Sequence, residues 1–298
     1  MALFGSATPV SKLVGQDFPP MLASGLRMLT AVAVLAPVFA IRRVSPEHPA
    51  PRLSRRDVGL LAAIAVIGTF GFTLLLYQGM RLAPGTTGAV IMAATPAVTA
   101  VGAVLLLGEH LNRWKVFGLV LAVTGLAVVN TGGAPSGGDA IWLGSALVFG
   151  AVCCEAAYTL LGKKLTADLS PIAIAVWAAA GAAVLFAPFA VWEATRFDWA
   201  APSVGSWVAL LWWGAATMGL GTVLWFRGLT RLKAGTASGF MAVMPISALL
   251  LSYLLLGEAF SWWHMAGMAV ALVGLAAVVH GDRPSPAPQR PAESAART

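Results

Sequence analysis

LLLGE closes an apolar stretch at Leu105 to Glu109 and closes another at Leu254 to Glu258, 149 residues later (258 − 109). Working outward, Pro96 falls on Pro245, Trp114 on Trp263, Gly118 on Gly267 and Gly125 on Gly274 at the same offset (245 − 96, 263 − 114). Nearer the start of each copy, Lys12, Pro20 and Ala36-Pro37 fall on Lys163, Pro171 and Ala187-Pro188 at an offset of 151 (163 − 12, 188 − 37). One spacing for so many rigid, small and charged positions means that the chain is built twice. Each copy holds about five apolar segments, and an odd number of membrane crossings turns the second copy upside down relative to the first. Inverted repeats of this kind underlie alternating access in secondary transporters.

The composition requires lipid as solvent. Of 298 residues, 58% are hydrophobic and 10% charged, with a mean hydropathy of +0.82, whereas a soluble domain carries roughly 25% charged residues. Runs such as Val58 to Leu76 and Ile172 to Trp192 reach about the 20 residues that cross a hydrocarbon core as helix. No period-two alternation of the kind a β-barrel needs is present. The expected fold is an all-α membrane protein of ten transmembrane helices in two inverted five-helix repeats. The spans fall near 2–14, 20–41, 57–81, 86–107, 113–130, 139–162, 170–192, 203–229, 235–256 and 261–280. The first repeat covers 1–130, a Gly-rich outer linker 131–138, the second repeat 139–280, and a Pro-rich tail without an apolar face 281–298, expected to be disordered and cytoplasmic.

The net charge of +7 is topological. With the N-terminus inside, fifteen of the nineteen Lys and Arg gather in inner loops, inner helix ends and the tail, leaving Lys12, Arg27, Arg81 and Arg196 elsewhere. The positive-inside rule then puts both termini in the cytoplasm and the chain in the inner membrane, and nucleic acid is excluded as a partner. The lipid bilayer and a small-molecule substrate are the expected partners, and a monomer the expected state. Cys153 and Cys154 are adjacent within a span, which excludes a redox framework or metal site; no cofactor is expected. By the repeat, residues 1–14 match only the second part of span six. The natural start is therefore expected upstream, or the chain trimmed.

Glu155 is the sharpest candidate. A carboxylate near the middle of a span costs about 2.5 to 3.5 kcal/mol and a Leu returns only about 0.3 to 0.6. It must face a polar cavity or be protonated; it serves a substrate amine or a proton, or else bonds a neighbouring helix as a neutral acid. Tyr158, three residues on and on the same helical face, adds a ring and a phenol suited to an ammonium. Pro96 and Pro245 are expected within helices, each removing a backbone hydrogen bond, kinking its span and shaping a central site. Tyr77, Gln78, Trp177, Trp213, Trp225 and Phe226 offer aromatic and amide surface, and Ser6 and Thr8 flank Pro9 in the first span. Trp212, Trp213, Trp262 and Trp263 read as an interfacial aromatic belt. Glu109 and Glu258 end spans four and nine and share a structural task, such as ending a helix or bracing a neighbour.

FGSATPVSKL at Phe4 to Leu13, PPMLASGLRML at Pro19 to Leu29, and the Pro-containing spans closed by LLLGE together resemble the EamA family of the drug/metabolite transporter superfamily, over about residues 1 to 280. The resemblance implies ten spans in two inverted repeats and export of amino acids, metabolites or drugs, with the YddG-type amino-acid exporters the members it suggests first. Phe4 departs from the Trp often found in the family. Arg27, seven residues beyond Pro20, snorkels to the outer interface or points inward as a site for a substrate carboxylate, and because an Arg in the second span is general in the family the resemblance adds a bundle-stabilising ion pair. Lys12 snorkels or closes its helix end, with an ion pair or carboxylate site as its other readings. The leading function is secondary export of small metabolites, most of all amino acids including aromatic ones. Multidrug or nucleoside and sugar export on the same fold is the alternative. A channel, a sensor and an intramembrane enzyme are remoter readings. No GxxxxGK[ST], HExxH or GxSxG occurs, and His48, His110, His264 and His280 fall in loops or at span ends.

Overall fold

The computed structural model describes residues 1–44, 53–82, 91–92, 94–109, 138–234, 237 and 240–256. These residues are helical, with no strand among them. The first half holds α1 (Ala2–Gly5), α2 (Ala7–Asp17), α3 (Pro20–Val44), α4 (Arg55–Ala63), a π-helical stretch Ile64–Gly71, α5 (Phe72–Leu82) and α6 (Thr95–Leu107). The second holds α7 (Gly138–Leu165), α8 (Pro171–Ala194), α9 (Val204–Trp212), a second π-helical stretch Trp213–Gly221, α10 (Thr222–Leu229), a 3-10 turn Phe240–Ala242 and α11 (Val243–Leu256).

Five of these helices are long and apolar enough to cross a membrane: Pro20–Ile41, Arg55–Leu82, Trp142–Leu165, Pro171–Ala194 and Val204–Leu229; Thr95–Leu107 is a shorter apolar helix. The protein is a multi-pass membrane protein. The spans expected at 113–130 and 261–280, the linker up to residue 137, the tail, Glu258, the four histidines and the side chains of Thr8 and Pro245 lie outside the described residues. The span expected at 2–14 is divided at Ser6 into α1 and α2.

Local chemistry sets the helix starts. Ser54 caps α4 by accepting from Asp57 N while the Asp57 carboxylate accepts from Ser54 N, a reciprocal box that satisfies two otherwise unpaired donors. Ser203, at the 149-residue offset from Ser54 (203 − 54), caps α9 by accepting from Ser206 N. Pro37 lies inside α3 and Pro188 inside α8, as their equivalence requires.

Pro96 and Pro245 correct the sequence reading. Pro96 lies in the first turn of α6 and Pro245 is the third residue of α11, after the 3-10 turn. A first-turn N–H has no intrahelical acceptor, so proline there forfeits no bond and starts a helix instead of kinking one. A turn at Ala94 precedes Pro96 and a 3-10 turn precedes Pro245, at near-equivalent places. The two π-helical stretches are equivalent too, Ile64 and Trp213 standing 149 residues apart (213 − 64).

Packing exchanges the halves. α3 packs against the second π-helical stretch and α8 against the first; α6 packs against α7 as α11 packs against α1 and α2. Along the helical segment Val204–Leu229, Ser206 meets the Leu13 carbonyl, Thr217 the Leu3 carbonyl, Thr222 the Tyr158 hydroxyl, and the Leu229 carbonyl meets Lys163. The C-terminal ends of α2 and α7 therefore lie at opposite ends of that one segment, which at about 1.5 Å per residue is more than 30 Å long. Buried apolar clusters close both ends, one around Val14, Phe18 and Leu210 and the other around Leu165, Leu169 and Leu61.

Candidate functional site

Glu155 lies on α7 where α6 begins. The Thr95 hydroxyl is 3.0 Å from Glu155 Oε2 and 2.7 Å from the Met92 carbonyl. A hydroxyl has one proton and two lone pairs. Thr95 therefore donates to a charged Glu155, or accepts from a neutral one while donating to Met92. The contact accommodates either protonation state through a rotation of one hydroxyl. The start of α6 adds the partial positive charge of a helix N-terminus, which favours a nearby carboxylate. One turn further on, Thr99 on α6 and Thr159 on α7 are fully buried with unpartnered hydroxyl oxygens.

Tyr158 turns to other helices. Its ring packs on Phe226 with centroids 5.4 Å apart, its hydroxyl is 3.5 Å from Thr222 Oγ1, and its Cβ lies against Gly68, where an added Cβ would be 2.8 Å away. Glu155 and Tyr158 thus have different hydrogen-bond partners, Thr95 and Thr222.

Arg27 is 7% exposed. Its Nη2 donates to Thr73 Oγ1 at 3.1 Å, and its guanidinium lies 4.3 Å from the centre of the Trp213 ring. Thr73 in turn donates to the Thr69 carbonyl inside the first π-helical stretch, while Trp213 begins the second. Arg27 therefore bridges the π-helical stretches of both halves. Arg27 Nε and Trp213 Nε1 are buried without partners. Trp213 is drawn inward by this stack instead of standing in an aromatic belt.

The other candidates are dispersed. Ser6 is buried, donates to the Leu3 carbonyl at 2.6 Å and accepts from Trp212 Nε1 at 3.2 Å, bracing the break between α1 and α2. Tyr77 and Trp177 are both 38% exposed and Gln78 is exposed. Trp225 is buried and lines a cleft of about 260 Å³ with Leu224, Gly228 and Phe240. Lys12 is exposed. Its equivalent, Lys163, donates to the Leu229 carbonyl and, at 2.6 Å, to the Leu232 carbonyl, closing the end of α10. Glu109 accepts from Ala234 N at 2.8 Å, so it braces the segment leading to α11. Among the described residues no group of three or more His, Cys, Asp or Glu could hold a metal ion. The structure's own additions are Thr95, Thr73 and Thr222. Thr73 and Thr222 stand at the 149-residue offset (222 − 73), the signal by which the sequence could have shown them.

Comparison with known proteins gives the same picture. A solved crystal structure superposes with a TM-score of 0.70 over 93% of each chain at 19% identity, a likeness of fold. The uncharacterized transporter YetK of Bacillus subtilis is 34% identical over 278 residues, covering 92% of this chain and 83% of that one. A probable terminal-alkyne amino-acid exporter of Streptantibioticus cattleyicolor is 25% identical over 277 residues, covering 91% and 88%. The EamA-like transporter family matches residues 1–131 and 142–280. With its helices, its doubled sequence and relatives named as transporters, this chain belongs to the EamA-like transporter family.

Proposed function

We propose that this transporter exports small metabolites, amino acids above all, by alternating access across the inner membrane, with Glu155 and Thr95 at the centre of the transport site. The observation that carries this reading is the Glu155–Thr95 contact at the start of α6. An ionisable group at depth facing a helix start, with a hydroxyl able to serve either of its protonation states, is the arrangement a proton or an ammonium requires. The exporter relative supports an amino acid as cargo. The exchanged packing of the halves, the paired π-helical stretches and the turns before Pro96 and Pro245 support ten spans in two inverted repeats, 1–130 and 139–280, joined by 131–138. The basic inner loops support cytoplasmic termini with the tail 281–298 inside. The chain acts as a monomer, without cofactor or nucleic acid.

The test pairs flux with stability in Glu155→Gln. Purified protein in liposomes with radiolabelled amino acids should lose at least tenfold in flux, while its melting temperature stays close to that of the unmodified protein, because the amide still bonds Thr95. Undiminished flux per folded molecule would remove Glu155 from both the substrate and the proton pathway. A Cys at Ser54 should label from the cytoplasmic side, and labelling from outside alone would overturn the orientation.

A further inference from the structure

We infer that Arg27 and Trp213 form a binding site for a small anion, set between the two π-helical stretches and separate from Glu155. Arginine stays charged in any protein environment, and this one is 7% exposed within a span. A buried charge is tolerated when it is paired. Among the described residues no carboxylate pairs with Arg27. Glu155 is engaged by Thr95, Glu193 by Leu22 N at 2.6 Å, and Asp17 by Ser203 N at 3.0 Å. The Thr73 oxygen accepts one guanidinium proton, and a neutral hydroxyl cannot balance the charge.

The unpaired atoms specify the ligand. Arg27 Nε and Trp213 Nε1 are both donors, both buried and both without an acceptor, and they belong to groups stacked 4.3 Å apart. Only a species that accepts hydrogen bonds satisfies them, and the adjacent positive charge selects an anion over water. Gly214 explains how the stack closes: a Cβ there would come within 2.7 Å of the Arg27 carbonyl and 2.5 Å of Thr30 Cβ. The glycine thus lets α3 approach the second π-helical stretch closely enough to bury both groups. Stretches of π-helix inside α-helices recur at functional sites, and here Arg27 stacks on the residue that begins the second and reaches the first through Thr73. The ligand is a monovalent anion with exposed lone pairs, either the carboxylate of the transported solute, which rests on the exporter reading, or a free halide, which does not.

Anion binding is read from the melting temperature of the purified protein in nanodiscs. Acetate, chloride or a zwitterionic amino acid is exchanged for isethionate at constant ionic strength. The unmodified protein should show a saturable upward shift with at least one of them. Response to acetate and the amino acid, with none to chloride, identifies the solute carboxylate as the source; response to chloride identifies a halide. Trp213→Phe keeps the ring under the guanidinium and removes one donor, and should raise the half-saturating concentration by about tenfold, the value of one hydrogen bond to a charged group. Arg27→Gln should abolish the shift, and Arg27→Lys, which keeps the charge without Nε, should weaken it if the Gln variant does not fold. No saturable shift in the unmodified protein overturns the site, as do unchanged midpoints in both Trp213→Phe and Arg27→Lys. Flux measured on the same preparation separates the two readings, because transport without anion response sinks the site alone and anion response without transport sinks the exporter reading.

Discussion

The two ends of the bundle are built from equivalent positions and finished differently. Where α2 ends, Val14, Phe18, Ala23 and Leu210 pack together; where α7 ends, their equivalents Leu165, Leu169, Ile174 and Leu61 do the same. Phe18 stacks on Phe197 at 5.3 Å and meets the Trp207 edge at 4.9 Å, and Trp207 stacks on Trp199 at 6.3 Å. The equivalent of Phe18 is Leu169, and that of Trp207 is Val58, which is 52% exposed. Aromatic pairs are worth about 0.5 to 1.5 kcal/mol beyond the area they bury and hold a preferred geometry. A shared backbone plan therefore carries one end locked by rings at Phe18 itself and another where the equivalent Leu169 is aliphatic and the rings, Trp225, Phe226 and Tyr158, lie elsewhere in the cluster. On the proposed alternating access, the end with the aliphatic residue at this position opens more readily.

Phe18→Ala against Leu169→Ala is the largest test of that contrast. Truncating Phe18 should cost about 3 to 4 kcal/mol and truncating Leu169 about 2 to 3. In a background lacking Cys153 and Cys154, Phe18→Ala should accelerate maleimide labelling of a Cys at Val14 more than Leu169→Ala accelerates labelling of a Cys at Leu165. Equal acceleration, or the reverse order, would break the comparison.

A smaller test lies in Gly79 and Gly228, equivalent residues with different surroundings. A Cβ at Gly79 would lie 2.7 Å from Val148 Cγ2 and 2.9 Å from the Gly144 carbonyl, whereas at Gly228 nothing lies within 4 Å. Gly79→Ala should destabilise by about 1 to 3 kcal/mol, because the backbone of α7 cannot step aside. Gly228→Ala should fall within about 0.5 kcal/mol of the unmodified protein. Similar melting temperatures for the two variants would mean that the helices carrying them are equally free to shift.

The smallest effect concerns the caps at the two ends. Asp57 serves its own helix through Ser54, whereas Asp17 reaches across the chain and accepts from Ser203 N. Hydrogen bonds from Ser206 and Ser203 hold the Asp17 carboxyl below the usual carboxylate range. A carboxyl depressed on folding contributes stability that is complete above the ordinary aspartate value of about 3.9 and fades as the pH falls below it through the folded value. Asp17→Asn should therefore lower the melting temperature slightly at neutral pH and flatten its decline on acidification. An unaltered pH profile would show that Ser203 caps α9 unaided.

Much of the architecture was legible because it depends on composition and spacing. Apolar length placed the helices from Pro20, Arg55, Gly138, Pro171 and Val204, and the 149-residue offset paired residues that the structure pairs too. Glu155 stood out because a carboxylate among apolar residues is costly wherever the chain takes it. Its partner did not, since Thr95 is 60 residues away and one threonine among many. Trp213 was left between two readings for a related reason: beside Trp212 it has the sequence of an interfacial belt, and only the packing of α3 puts Arg27 above its ring.

Sequence alone determined that the chain lives in lipid, that it is made twice, and where its anomalous charges fall, because hydropathy, repetition and the energetic penalty of a buried ion are properties of the residues themselves. Tertiary structure decided the rest. The prolines begin helices, Arg27 joins Thr73 of one half to Trp213 of the other, and Tyr158 packs on Phe226. Each of these depends on which surface of a neighbouring helix is close enough to accept a proton or receive a ring, and distances across a bundle are set by packing among helices far apart in the chain.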